Sequence, residues 1–141
     1  MTDKASSAFW DDLATDLQDP EFLRDYVVES MRIATTDRLV NELDEAREAA
    51  GLTKAELARA IGAEPASIRR LFASGRSNPT LGTLAEVASA LGMQITLAPL
   101  PAAERRKVTE PLLQGRVADP KALAEHLVAA RSGSPLASAA R

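Results

Sequence analysis

Apolar side chains recur at intervals of three and four over most of this chain, and the breaks in that rhythm mark out its elements. Leu57, Ala58 and Ile61 share one helical face, as do Ile68, Leu71 and Phe72 further on. Thr53 and Glu56 form a T-x-x-E capping box ahead of the first of these helices, with Leu52 and Leu57 placed to staple its start. Gly62 stands where a left-handed residue ends a helix, and Pro65 suits the first position of the next one. Arg69 and Arg70 flank the second apolar face and cannot be buried cheaply. The local pattern is helix, glycine-containing turn, helix. A loop over residues 73–79 then leads to Thr80, which caps a third helix running to about Leu91. Its inward stripe is Leu81, Leu84, Val87, Ala88 and Leu91, and Gly92 ends it.

On either side of this centre the signals are weaker. Residues 1–7 read as disordered, and residues 8–17 as a short helix with Phe9, Leu13 and Leu17 on one side. Trp10 beside Phe9 is more apolar surface than a free tail should expose, so it is expected to dock on the core or a partner. Asp19-Pro20 starts a helix to about Ser30 that buries Phe22, Tyr26 and Val27. A separate helix over about 34–50, with Leu39, Leu43 and Ala46 in register, ends at Gly51. After Gly92, Met93-Gln94-Ile95-Thr96-Leu97-Ala98 alternates and predicts a short strand bounded by Pro99 and Pro101. It has no partner within the chain; it would pair with its own copy in a dimer or extend as an arm. Residues 102–108 are charged, and 111–117 read as irregular. Asp119-Pro120 starts a helix to about Arg131 carrying Leu123, Leu127 and Val128. The Ser- and Ala-rich end, 132–141, is expected to be mobile. These readings divide the chain into an N-terminal helical extension (1–33), a central domain (34–100) and a C-terminal tail with one helix (101–141).

Composition removes several kinds of chemistry. The 141 residues include no cysteine, so disulfides, thiol catalysis and cysteine-ligated zinc are excluded. His126 is the only histidine; it is expected to be exposed or partner-facing, and no metal or cofactor is indicated. No apolar run approaches the ~20 residues of a membrane helix, and the N-terminus lacks the regions of a signal peptide. A cytoplasmic location is the expectation. Carboxylates are plentiful, but no nucleophile, phosphate loop or ligand set accompanies them, so an enzyme is not indicated.

The net charge of −3 hides an uneven distribution. Residues 1–34 carry three basic and eight acidic side chains, 35–100 seven and eight, and 101–141 seven and four. Within 53–79, Lys54, Arg59, Arg69, Arg70 and Arg76 outweigh Glu56 and Glu64. Positive charge is concentrated where a phosphate backbone would lie, and the acidic excess sits elsewhere.

The ordered matches from Gly51-Leu52-Thr53 through Glu56-Leu57-Ala58, Gly62, Ile68, Gly75, Asn78-Pro79-Thr80-Leu81 and Leu84 to Ala90-Leu91-Gly92 resemble the XRE or Cro-like helix-turn-helix repressors. With the preceding helix they cover roughly half the chain. The resemblance implies an all-α fold: a five-helix, lambda-repressor-like helix-turn-helix domain with an N-terminal helical extension, a short strand after the core and a C-terminal helical tail. Asp19-Pro20-Glu21-Phe22 and Tyr26 ahead of the motif look like the HigA-type antitoxins. Those proteins neutralise a RelE-like toxin encoded beside them and repress their own operon as dimers. The implied partners are double-stranded DNA with a palindromic operator, a second copy of the chain and a RelE-like toxin. A stand-alone XRE-type regulator is the alternative, as is a protein-interaction scaffold that has lost DNA binding.

In such proteins the second helix of the motif enters the major groove. Here that points to Pro65, Ala66, Ser67, Arg69 and Arg70, with Arg70 first as a reader of guanine and Ala66 suited to a thymine methyl. Lys54 matches a phosphate-touching position, and Thr53, Ser74, Arg76 and Ser77 are further phosphate candidates. Each has a plainer reading, as a solvated helix residue, a surface charge or ordinary turn composition. The chain also departs from the family pattern. Many members carry a glutamate at Phe72 that pairs with an arginine matching Arg47, so Arg47 here must be exposed or paired with Asp44 or Glu48. The loop around Gly75 is about a residue longer than usual. Glu64 takes the usual Ser/Thr cap position, and Pro65 and Ala66 replace polar base readers. Base readout is therefore expected to lean on Arg69, Arg70 and DNA shape.

Overall fold

Seven α-helices and no strand are present among the described residues, 4–73 and 78–133 of the computed structural model. They are α1 (Lys4–Asp16), α2 (Pro20–Ala49), α3 (Lys54–Ala60), α4 (Pro65–Phe72), α5 (Leu81–Ala90), α6 (Ala102–Gln114) and α7 (Pro120–Arg131). The chain forms two compact units. One is residues 35–97; the other joins residues 1–34 to residues 98–141.

The 35–97 unit holds the C-terminal part of α2 with α3, α4 and α5, four helices rather than five. Its core is Val40, Leu43, Leu57, Ala58, Ile68, Leu71, Leu84, Val87 and Ala88, with Leu39, Phe72, Leu91 and Ile95 packed against it. Thr80 caps α5 by accepting from the Thr83 amide at 3.1 Å. Leu81, expected on the inward stripe, is 68% exposed because the first turn of α5 lies at the edge of this core. The strand expected after Gly92 is absent. Residues 93–97 form neither helix nor strand and lie beside no strand among the described residues, and a ladder needs a partner.

The other unit packs Leu13, Leu17, Leu23, Val27, Val108, Leu123, Ala124 and Leu127 together, with α1 against α7. The tail is thus part of a core of its own and contributes two helices. Helix α1 begins at Lys4, inside the stretch read as disordered; residues 1–3 lie outside the described residues. Its inward side is Trp10 and Leu13, continued by Leu17 just after the helix, whereas Phe9 is 51% exposed and meets Trp10 edge-on. Asp119 caps α7 as its sequence predicts, accepting from the Ala122 amide at 3.1 Å. The end read as mobile lies outside the described residues from 134 onward.

Two further readings are corrected. The helices expected to end near Ser30 and to begin near 34 are one helix of 30 residues. No glycine or proline interrupts residues 21–50, and the polar break at Ser30 is internal. Ser30 is fully buried and accepts a 2.7 Å hydrogen bond from Arg131 Nε, while the Arg131 guanidinium stacks 4.3 Å from the Tyr26 ring centre. The stretch read as irregular begins inside a helix: α6 carries Pro111 in its last turn. A proline there removes one helical hydrogen bond, but its ring is fully buried and fills the core.

Helix α6 ends at Gly115, whose φ of +73° is left-handed. A Cβ there would also stand 2.6 Å from Arg24 Nη2, on a side chain whose Nε donates to Leu112 O at 3.3 Å. Gly115→Ala should therefore cost about 1–2 kcal/mol in backbone strain alone, seen as a lower midpoint in chemical unfolding. Adding Arg24→Ala should relieve the steric part only, leaving that backbone cost.

His126 is not exposed. Its side chain keeps 12% of its surface, and Nε2 lies 3.0 Å from Glu104 Oε2. Despite that distance, neither buried atom makes a hydrogen bond of acceptable geometry. Burial pushes the imidazole below its ordinary range, opposed by the Glu104 charge and reinforced by Lys107. The folded protein thus binds this proton less readily than the unfolded chain. Stability should be full above the unfolded value of 6.5 and fall as pH drops below it toward the lower folded value. Urea midpoints measured across that range should show the decline, and His126→Gln should flatten it.

Candidate nucleic-acid interface

Each structural feature at the start of α3 follows from side chains three residues apart. Thr53 Oγ1 accepts from the Glu56 amide at 3.0 Å, and Glu56 Oε1 accepts from the Thr53 amide at 3.0 Å. The bonds from Thr53 hold the Glu56 carboxyl below the usual carboxylate range. The turn after α3 closes through Gly62, with φ of +69°, and a 2.8 Å bond from the Ala63 amide to Ala58 O. Glu64 precedes α4 without capping it, and Pro65 takes the first position.

Burying Leu57 and Ala58 against Ile68 and Leu71 fixes which side of α4 faces out. Ser67, Arg69 and Arg70 are exposed together with Pro65, and Ala66 is half-buried. Arg70 Nη2 lies 3.4 Å from Ser67 Oγ, one turn earlier. Neither Arg69 nor Arg70 forms an ion pair among the described residues. Lys54 opens α3 and is half-buried. Thr53 is committed to the capping box through its side chain, so a phosphate would meet it as an N-terminal turn already organised. Ser74, Arg76 and Ser77, and the loop length around Gly75, lie outside the described residues.

Arg47 is occupied. Its Nη2 lies 2.9 Å from Asp44 and 3.5 Å from Glu48, and its Nη1 donates to Leu52 O at 2.7 Å. The guanidinium also sits 5.8 Å from the Phe72 ring centre. An arginine left without its usual acid thus finds a neighbouring acid, a carbonyl and an aromatic ring. Beside Arg70, an open depression of about 390 Å³ is lined by Ser67, Ala73, Asn78, Pro79 and Thr83 among others. Thr83 was not singled out from sequence, and Asn78 only within the Asn78-Pro79-Thr80-Leu81 match. The Thr80-x-x-Thr83 spacing was the available signal, since both hydroxyls meet at 3.0 Å where α5 begins.

Residues 43–97 match the sequence profile of the helix-turn-helix family. These residues are a helix-turn-helix domain of the XRE/Cro-like kind. Helices α3 and α4 are the two helices of the motif, and the exposed side of α4 is that of its second helix. The family is one of DNA-binding regulators. No curated protein and no solved structure matches the chain. Around the helix-turn-helix domain, no described group of three or more acidic or histidine side chains is placed to hold a metal ion. No helix among the described residues is long and apolar enough to cross a membrane.

Proposed function

We propose that this protein is a sequence-specific transcriptional repressor that acts in the cytoplasm as a homodimer on a palindromic operator. The observation that carries this reading is the exposed side of α4, where Arg69 and Arg70 pair with no acid among the described residues and lie beside Ser67. In this reading Pro65, Ala66, Ser67, Arg69 and Arg70 face base edges, while Thr53 and Lys54, with Ser74, Arg76 and Ser77 of the loop, fix the phosphates. Half-buried Ala66 and the proline offer apolar contact only, which leaves hydrogen-bonded readout to the arginines and Ser67.

The test is titration of a labelled fragment of the protein's own promoter over a salt series. Affinity should fall linearly on logarithmic axes, with a slope set by the phosphates neutralised. No binding at low salt would overturn the reading in favour of a protein-interaction scaffold.

A narrower role as an antitoxin is favoured by the acidic side chains exposed on α1 and the start of α2, among them Asp11, Asp12, Asp16, Glu21 and Asp25. They suit a basic partner such as a RelE-like ribonuclease. Co-purification of a small basic protein encoded in the same operon, lost when these carboxylates are replaced by amides, is the result this role requires.

A further inference from the structure

Helix α4 starts on a residue that does not cap it. The backbone of Glu64 has φ −72° and ψ 137°, close to the cap conformation of Thr53 and Thr80. Thr53, Thr80 and Asp119 each accept from the amide three residues on, and the Glu64 side chain makes no such bond. Glu64 is exposed and forms no ion pair among the described residues. Within 53–79 the sequence holds two acids, Glu56 and Glu64, and Glu56 is committed to the Thr53 amide. Glu64 is therefore an uncommitted carboxylate at the leading end of the helix that carries Arg69 and Arg70. Stability does not account for it. A negative charge suits a helix start, but aspartate would supply that charge and the cap as well. What glutamate adds is one more carbon of reach.

We propose that Glu64 is a specificity-determining residue of the DNA site, accepting a hydrogen bond from the N4 amino group of a cytosine. The inference rests on the operator-binding reading and adds an acceptor beside the two guanidinium donors. Glu64, Ser67 and Arg70 are spaced three apart, so they form one row along α4. Ser67 and Arg70 already meet at 3.4 Å. At 1.5 Å per residue, Arg70 lies about 9 Å further along the axis, so the two ends of the row meet different base pairs. In the major groove cytosine presents an amino donor, whereas thymine presents the O4 acceptor. A carboxylate is attracted to the first and repelled by the second, and the phosphates repel it everywhere. Discrimination by Glu64 thus comes mainly from the penalty at wrong sites, where its charge loses water and gains no donor.

Binding of the full chain to its own promoter fragment, and to a panel of fragments each altered at one base pair, tests this with Glu64→Asp and Glu64→Ser. Wild type should lose roughly 5- to 150-fold in affinity when one C·G pair of each half-site becomes T·A. Both variants should lose most of that discrimination, aspartate because its carboxylate stops a carbon short. The separate pair read by Arg70 should keep its own. Both variants also gain the missing cap, so their urea midpoints, followed by circular dichroism, should rise. A folding defect then cannot explain the lost discrimination. Glu64→Ser that leaves every preference unchanged, or tightens binding to all fragments by one common factor, would overturn the proposal. So would Glu64→Asp that discriminates as wild type does. Wild type that binds no fragment at low salt is a different failure, since it removes the operator reading itself and the Glu64 contact with it.

Discussion

Leu57→Ala should destabilise the 35–97 unit by about 2–5 kcal/mol and remove DNA binding with it. Leu57 has no exposed surface and lies in the same core as Ala58, Ile68 and Leu71. It joins the inner sides of α3 and α4, and that packing helps set the direction of the α4 arginines. Truncation loses the transfer free energy of three buried carbons and leaves a cavity, and a core this small has few neighbours able to collapse into it. The helix bearing Arg69 and Arg70 is eight residues long, too short to persist without that packing. Urea unfolding followed by circular dichroism measures the loss. The sole tryptophan, Trp10, and sole tyrosine, Tyr26, belong to the other unit, so their fluorescence follows that unit separately. A loss below about 1 kcal/mol would mean that Leu57 does not hold the two helices together.

The contrast between the two units explains what was legible in the sequence. The motif is written in short-range chemistry: a threonine and a glutamate three residues apart, a glycine at a left-handed turn, a proline at a first helical position. Such features act within one turn of chain and can be read without knowing what packs where. The same was true of Asp119 ahead of α7. Misreadings arose where distant residues decide. Ser30 looked like a helix end until Arg131, 101 positions away, supplied its partner. The stretch from Pro111 looked irregular, yet the helix runs through Pro111, whose ring is fully buried. His126 was taken for a surface group because nothing local places Glu104 beside it. At the interface the outward position of Arg69 and Arg70 was legible from the periodicity of their apolar neighbours. The fate of Arg47 was legible only as a choice of partners, and the fold answers it with Asp44, Glu48 and the Leu52 carbonyl together.

Arg70→Ala should leave the fold within about 0.5 kcal/mol of wild type, because the side chain is exposed and, among the described residues, pairs only with Ser67. Its effect on operator binding should be far larger and confined to one base pair of each half-site. A guanidinium can donate to both acceptors of a guanine edge, and losing such a pair costs about 1–3 kcal/mol of discrimination, or roughly 5- to 150-fold in affinity. The contact to Ser67 Oγ at 3.4 Å matters here, since it restrains a long side chain along the outer side of α4 before DNA arrives. Lys54→Ala provides the comparison. As a phosphate contact it should weaken all sequences about equally and reduce the magnitude of the salt slope by about 1. Binding to a panel of operator fragments, each altered at one position, separates the two behaviours. If Arg70→Ala instead weakened every fragment alike, with a smaller salt slope, Arg70 would be a second phosphate contact. Sequence reading would then fall to Arg69 and to the deformability of the DNA itself.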